Sequence, residues 1–367
     1  MLKVGMVGVG CISGIYLRNF DETFKNVKLV AVCDLIRERA EQAQNKYNIP
    51  KLYDTMEELF ADPEIDIVLN LTRPYQHYEV SRAALLAGKH VYSEKPLGAD
   101  WNEGTELVKL AKERGLWIGG APDTFMGAGI QTCRKLISDG KIGEIIGGRC
   151  VMGSRGVETW HPDPDFYYQR GGGPLLDMGP YYITALTNLL GGIKKVYGES
   201  RTTFSERLIT AKPHEGEIIK VNVPTHYECL ITFECGAVIS FLTSFDVYNT
   251  KQANIQLYGT KGNLYVPDPN CFGANGGMRF LNGATGEEEE LPLEFDYSGN
   301  SRCLGLADLA AAIEQGRPPR TSYKQTYHVL EAMTGIMKSA ETGLPYEMTT
   351  KFEREAPMDP TLPHGVL

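Results

Sequence analysis

Lys95 sits in Glu94-Lys95-Pro96, just past the strand expected at His90-Val91-Tyr92, and further on Asp177 and Tyr181 are spaced i, i+4. An amine at a strand end can take the proton of a hydroxyl whose carbon is losing hydride, provided burial or a nearby positive charge lowers its pKa. Alternatively it stays charged and stabilises a developing alkoxide. The i, i+4 spacing puts Asp177 and Tyr181 on one face of a helix expected to start near Leu175. Between them, Arg155 to Tyr168 is polar, aromatic and proline-rich, the composition of a rigid loop lining a carbohydrate cleft. There Trp160 could stack on a sugar face, while Arg155, His161 and Asp163 could bond hydroxyls. His161 is also a candidate base. Asp123, in the crossover Ala121-Pro122-Asp123-Thr124-Phe125, is a further candidate for substrate contact.

Such proton chemistry needs a hydride carrier, and the start of the chain offers a place for one. The run Leu2 to Val7 leads into Gly8-Val9-Gly10-Cys11-Ile12-Ser13-Gly14 and then a helical segment. A strand ending in a glycine turn lets backbone approach a pyrophosphate, and the following helix aims unpaired N–H groups at the phosphates. Ser13 stands where the strict fingerprint has a third glycine, and a small residue still permits close helix packing. A second apolar run, Val27 to Cys33, ends in Asp34 about 20 residues past the turn, where a carboxylate accepts from an adenosine ribose. Asp34 would repel a 2′-phosphate and Leu35 and Ile36 offer no cation, so NAD is expected; Arg37 and Arg39 keep NADP possible.

Helical periodicity from Ile36 to Tyr47, a strand Ile65 to Leu71, a helix His77 to Gly88, a strand His90 to Tyr92, a helix from Asp100 to about Arg114 and a strand Trp117 to Gly120 alternate along the N-terminal part. Asp100 is the expected N-cap of its helix and Gly88 the expected stop of the one before. Alternation of this kind implies a parallel sheet covered on both faces, with ligand outside the carboxyl ends of the strands. Past residue 122 the texture changes. A helix Ala128 to Ser138 and a strand Ile145 to Met152 precede long strand-like segments at Thr225 to Phe233, Ala237 to Asp246 and Ala253 to Tyr258, joined by tight turns. The expectation is α/β: a Rossmann dinucleotide-binding domain over 1–122, then an α+β substrate-binding and oligomerisation domain over 123–367 with a large, mainly antiparallel open sheet. Its uncovered face would suit a homo-oligomer, a dimer or tetramer. The acidic run Glu287 to Glu290 reads as a solvated turn.

At 367 residues with a formal charge of -9, the chain is long enough for two cores and has no basic face for nucleic acid. No apolar run is long enough to cross a membrane, and residues 2 to 9 lack a basic leader and cleavage site. The eight cysteines are scattered without a CxxC pair, which fits reduced thiols in a cytoplasmic protein. The histidines form no ligand-spaced cluster, so no metal is expected.

With these motifs the chain resembles the Gfo/Idh/MocA family, the glucose-fructose oxidoreductase and inositol dehydrogenase-like oxidoreductases. The resemblance runs from Gly8-Val9-Gly10 through Asp34, the Thr72-Arg73-Pro74 to His77 loop, Ala87-Gly88-Lys89-His90-Val91 and Glu94-Lys95-Pro96 to Gly171-Gly172-Gly173-Pro174-Leu175-Leu176-Asp177-Met178-Gly179. It implies that Lys95 takes part in acid/base chemistry and hydride-transfer geometry, that the Lys95-Pro96 bond is cis, and that Glu94 lies near the nicotinamide ribose. It likewise implies that Gly8, Gly10, Cys11, Ile12, Ser13, Thr72, Arg73, Pro74 and His77 belong to the cofactor site. The family usually has histidine where this chain has Tyr181. A phenol with a pKa of about 10 is a poor base at neutral pH, which makes Lys95 the preferred proton acceptor and Tyr181 a donor or relay. Asp177 would orient substrate or hold Lys95 charged. The implied activity is hydride transfer between nicotinamide and a secondary alcohol or hemiacetal carbon of a sugar, sugar derivative or cyclic polyol. Two other uses of such a chain are glycoside cleavage by transient oxidation and elimination, and a non-catalytic dinucleotide-binding regulator.

Overall fold

A computed structural model describes residues 1–248 and 254–367. Up to residue 126 the elements are β1 (Leu2–Val7), α1 (Ser13–Glu22), β2 (Val27–Cys33), α2 (Arg37–Tyr47), β3 (Lys51–Leu52), α3 (Met56–Ala61), β4 (Ile67–Asn70), α4 (His77–Leu86), β5 (His90–Ser93), α5 (Trp101–Arg114) and β6 (Ile118–Gly120). Then come α6 (Ala128–Ser138), β7 (Ile145–Gly153), α7 (Gly173–Asp177), α8 (Gly179–Leu190), β8 (Ile193–Arg201), β9 (Glu206–Leu208), β10 (Ile218–Lys220), β11 (His226–Phe233), β12 (Val238–Ser244), β13 (Ile255–Gly259), β14 (Gly262–Val266), β15 (Arg279–Asn282) and β16 (Glu288–Glu290). The chain finishes with α9 (Leu304–Gln315), α10 (Tyr323–Thr342) and β17 (Tyr346–Glu347).

The chain divides into two compact units, and the first holds a six-stranded sheet in the order β3-β2-β1-β4-β5-β6. Every pairing in it is parallel. Val4, Met6, Ile67, Val68, Leu69, Val91 and Tyr92 are all 0 % exposed, so the strands read as continuous apolar runs because helices cover both faces. The order reverses between β1 and β4, and the loops past β1 and β4 therefore open the crevice such sheets use for ligands. Asp100 caps α5 by accepting the Glu103 N–H at 3.0 Å, and Gly115 closes that helix in the left-handed region.

The expected boundary at 122/123 differs from the observed division. The first unit comprises Met1–Met126 together with Gly299–Tyr327 and Glu355–Leu367; the second is Gly127–Ser298 with His328–Arg354. The first sheet takes back a later segment because β6 is an open edge: Gly120 N–H donates to Thr321 O at 3.0 Å and α9 packs on β6. An unpaired sheet edge is satisfied by whichever piece of chain can cover it, which local periodicity does not reveal.

The second unit carries a nine-stranded sheet in the order β16-β15-β14-β13-β7-β12-β11-β8-β17. It is antiparallel throughout except for the β12–β7 pair. Along β11, Tyr227, Cys229, Ile231 and Phe233 are buried while Glu228 and Leu230 are exposed, the alternation of a sheet with one covered face. On the covered face Gly198 allows β8 to approach Ile336 of α10, where an added Cβ would lie 2.8 Å from the isoleucine side chain. The strand expected from Ala253 starts at Ile255, and Ala253 itself lies outside the described residues.

Two local expectations are corrected. The single helix predicted from Leu175 is two helices, with Asp177 ending α7 and Tyr181 in the first turn of α8. Gly179-Pro180 sits at that join, and Pro180 has no N–H with which to continue the helix ladder. Glu287 to Glu290 is no turn; Glu288–Glu290 forms the sheet edge, paired with β15 and tied by Arg279 to Glu288 at 2.6 Å. A charged outer strand of this kind discourages edge-to-edge pairing.

Candidate active site

The turn after β1 is built for close approach. Gly8 has φ +98°, and an added Cβ would lie 2.8 Å from the Leu71 backbone, so only glycine fits. Nothing stands within 4 Å of the Cβ position of Gly10 or Gly14, which leaves the outer side of the turn open. Cys11 is exposed, Ile12 half-buried and Ser13 buried, and no side chain caps the start of α1. An uncapped helix start beside an open glycine turn suits anionic phosphates. Asp34, half-buried just past β2, accepts the Val9 N–H at 2.6 Å and the Ile36 N–H at 2.7 Å. One carboxylate thus holds the turn while remaining open to solvent, as a ribose partner must. Arg37 pairs with Glu41 at 2.7 Å and with Asp54, so this cation is already engaged by carboxylates. The residues present fit a dinucleotide with an unmodified adenosine ribose.

The loops beyond β4 and β5 meet around Asn70, which pattern reading missed, and His77. Asn70, 0 % exposed at the end of β4, donates to His77 O at 3.1 Å and Ser81 Oγ at 3.0 Å and accepts from the Thr72 hydroxyl at 2.6 Å. Its signal was a lone amide closing an apolar strand. His77 was expected to serve the cofactor; it is 1 % exposed, with Nδ1 at 2.8 Å from Pro96 O and Nε2 at 3.0 Å from Thr72 O. Burial holds its pKa below the ordinary value, which favours the neutral ring, whose single N–H donates to one of the two main-chain carbonyls His77 lies between. Arg73 is exposed, and Pro74 opens a short turn through Gln76.

Lys95 is half-buried just past β5, and its bond to Pro96 is cis. Its N–H donates to Glu94 Oε2 at 3.2 Å, and Glu94 is 8 % exposed. The hydroxyl of Tyr16, fully buried on α1, donates to Glu94 Oε1 at 2.8 Å. Asp123 is 1 % exposed, and its Oδ2 accepts the N–H groups of Cys303 at 3.1 Å and Gly305 at 3.0 Å. The expected substrate contact is thus replaced, in this structure, by a bond to the start of α9. Burial raises Asp123 to about 6 despite those two donors.

In the second unit, Asp177 is half-buried and Tyr181 is 7 % exposed. Trp160 is 65 % exposed. His161 is buried among Trp160, Phe166 and Tyr167, and its Nδ1 accepts the Asp163 N–H at 3.0 Å, which leaves the ring proton on Nε2 in the neutral form. Arg155 is exposed, stacked 5.0 Å from the centre of the Tyr248 ring. Among the described residues no His, Cys, Asp and Glu group could hold a metal ion, and no helix is long and apolar enough to cross a membrane.

Residues 2–119 match the model of an oxidoreductase family with an NAD-binding Rossmann fold, and residues 130–265 match the GFO/IDH/MocA C-terminal domain. The chain is 31% identical over 272 residues, 73% of its length and 75% of the relative, to trans-1,2-dihydrobenzene-1,2-diol dehydrogenase of Homo sapiens. It is 32% identical over 150 residues to inositol 2-dehydrogenase/D-chiro-inositol 3-dehydrogenase of Lactiplantibacillus plantarum, covering 39% of this chain and 41% of that one. The crystal structure of an NAD binding oxidoreductase from Klebsiella pneumoniae superposes with a TM-score of 0.82 at 21% identity, over 95% of this chain and 100% of the other. The open glycine turn, the Asp34 carboxylate and these matches agree: the chain belongs to the GFO/IDH/MocA oxidoreductase family and is an NAD(P)-dependent oxidoreductase.

Proposed function

We propose that this oxidoreductase interconverts a secondary alcohol or hemiacetal carbon and its carbonyl on a sugar, sugar derivative or cyclic polyol. The observation that carries this reading is Lys95, a half-buried amine just past the carboxyl end of β5, with Glu94 beside it. Bound NAD supplies the hydride acceptor, and the alcohol proton must leave as the carbon loses hydride. Lys95 Nζ takes that proton and returns it in reduction. Tyr181 serves as donor or relay, and Asp177 orients substrate. Gly8, Gly10, Cys11, Ile12, Ser13 and the Thr72-Arg73-Pro74 segment hold the dinucleotide, Asp34 its adenosine ribose and Glu94 its nicotinamide ribose. NAD is preferred over NADP because Asp34 repels a 2′-phosphate while Glu41 and Asp54 occupy Arg37.

Relatives support the substrate class. The dihydrobenzenediol and inositol named for them are both six-membered rings bearing adjacent secondary hydroxyls. Trp160, Arg155, His161 and Asp163 are the groups that read such a ring, an exposed aromatic face with polar neighbours. The chain works as a homo-oligomer through the open sheet face, where Leu230 and Val238 stand 48% and 42% exposed, and as a cytoplasmic protein, since all eight cysteines are free thiols.

The test is NADH absorbance on mixing the protein with NAD⁺ and pooled aldoses, cyclic polyols and glycosides, with Lys95→Met alongside. NADH that accumulates in the wild type and vanishes in the variant is the expected result. Equal NADH from both removes Lys95 from its role. Aglycone release without net NADH identifies the elimination chemistry instead.

A further inference from the structure

Arg207 is the centre of a buried charge cluster that the reaction does not use. It sits mid-strand in β9, where Glu206 and Leu208 on either side are exposed and Arg207 is 4 % exposed. Its Nη1 donates to Glu158 Oε1 at 3.0 Å and to Arg155 O at 3.3 Å; its Nη2 donates to Phe245 O at 3.4 Å and to the Asp246 carboxylate. The rings of Phe204 and Tyr168 lie 5.0 and 5.6 Å from the guanidinium carbon. The remaining oxygens are also engaged. The Tyr168 hydroxyl donates to Glu158 Oε2, and the Thr225 hydroxyl donates to Asp246 Oδ2 at 2.7 Å.

The local backbone is shaped around this cluster. Gly156 has φ +110°, and an added Cβ would fall 2.3 Å from Glu158 Oε2, so the carboxylate occupies the space any other residue would need. Thr210 and Ala211 N–H groups donate to Glu158 O at 3.1 and 3.2 Å, fastening the β9–β10 hairpin to the same loop. One cation serves two buried carboxylates, and Arg207 Nε finds no acceptor among the described residues. Buried ion clusters of this kind add little stability over apolar packing of the same volume; what a planar fork provides is fixed geometry between the groups it bridges.

We propose that Arg207 is a positioning residue for substrate recognition, locking the segment after β7 that carries Arg155, Trp160 and His161 to Phe245 and Asp246 after β12. The inference rests on the reading that this segment faces the substrate. Arg207 touches no reacting atom. It acts by holding Glu158 and the Arg155 carbonyl, and hence the side chains between and beside them, in one arrangement, so that binding does not have to order the loop. Lysine cannot replace it, because a single ammonium does not span two carboxylates and two carbonyls in one plane.

The experiment compares wild type, Arg207→Lys and Arg207→Met by amide exchange of residues 156–163, by NAD affinity, and by KM and kcat for the best sugar or polyol found. Arg207→Lys keeps a cation and so stays informative if the methionine variant fails to fold. Exchange of the loop amides faster by about tenfold, with KM raised about 10- to 100-fold, kcat within about threefold and NAD affinity unchanged, supports the proposal. Unchanged loop exchange in Arg207→Lys and Arg207→Met overturns the lock. Faster exchange with unchanged KM overturns the role in recognition while leaving the oxidoreductase reading intact. A wild type that makes no NADH from any polyol fails the functional reading, and the recognition role with it, and loop exchange then still decides whether Arg207 locks the segment.

Discussion

The hydroxyl of Tyr16 on α1 donates to Glu94 Oε1, 2.8 Å away and 78 residues on in sequence. Burial, with Glu94 close by, holds the phenol well above its ordinary pKa, so it remains a donor across the working pH range. Among the described residues it is the donor to that oxygen. Tyr16→Phe keeps the ring packing but leaves a buried carboxylate oxygen unmet, at a cost of about 1 to 3 kcal/mol. Urea denaturation of the two proteins measures this, and equal midpoints would show that the bond contributes nothing.

Asp34 joins the glycine turn to the end of β2 through Val9 and Ile36 N–H groups. Asp34→Ala removes both anchors and, with them, the acceptor proposed for the adenosine ribose. NAD affinity should fall by roughly 10- to 100-fold, the equivalent of one or two charge-assisted hydrogen bonds, and NADP affinity by less, because the repulsion of its 2′-phosphate also disappears. Quenching of protein fluorescence on titration with each dinucleotide reports both constants. An unchanged ratio between them would mean that Asp34 does not face the adenosine ribose.

What could be read from residue order alone follows from how local the cause is. The runs at Val4 to Val7 and Ile67 to Leu69 declare themselves because a sheet covered on both faces makes every position apolar, and Asp100 and Gly115 bracket α5 through contacts within one helical turn. Helix α3 and the two-residue β3 before it went unread: Thr55 and Glu58 form a capping box, but elements of six and two residues are too short for periodicity to register. Arg207 gave no local sign. It lies between two exposed neighbours, and its partners Glu158 and Asp246 are 49 and 39 residues away. The same holds for the return of 299–327 to the first sheet, decided by the open edge of β6. Features whose causes lie within a strand or one helical turn were therefore legible, and residues such as Arg207, whose partners are distant in sequence, were not.

Asp123 carries a pH dependence of definite sign. Burial raises it from 3.8 to about 6, with Glu94 adding to the rise and Arg302 opposing it. The folded chain therefore binds this proton more tightly than the unfolded chain between those two values, and stability falls as pH rises through them, by on the order of 3 kcal/mol in total. Both N–H groups it accepts end on Oδ2, so an amide oxygen can keep them. Asp123→Asn should fold as well as or better than wild type at pH 7 and lose this falling component. Stability curves at pH 4.5, 5.5 and 7 check it, and parallel curves for the two proteins would refute the assignment.

His328 works in the opposite direction in the second unit. Its Nε2 accepts the Ile193 N–H at 2.9 Å, so the ring proton sits on Nδ1 and is shared with Thr350 Oγ1 at 2.6 Å, whose hydroxyl in turn donates to Glu331 Oε2 at 2.5 Å. Burial lowers the imidazole from 6.5 to about 4, although Glu331 favours the charged form. The unfolded chain therefore takes up the proton first as pH falls. The stability His328 contributes is complete above pH 6.5 and is lost on the way down to about 4, again on the order of 3 kcal/mol. Over most of that window this rise with pH and the fall from Asp123 offset each other, so a whole-chain stability curve looks flatter than either group alone would make it. Hydrogen exchange separates them, once corrected for the intrinsic pH dependence of amides. Protection at Ile193 should increase from pH 4.5 to 6.5 in wild type and lose that increase in His328→Gln, while protection at Gly305 should decrease over the same range and lose that decrease in Asp123→Asn. Two amides that moved together with pH in every variant would show that neither group titrates where its surroundings put it.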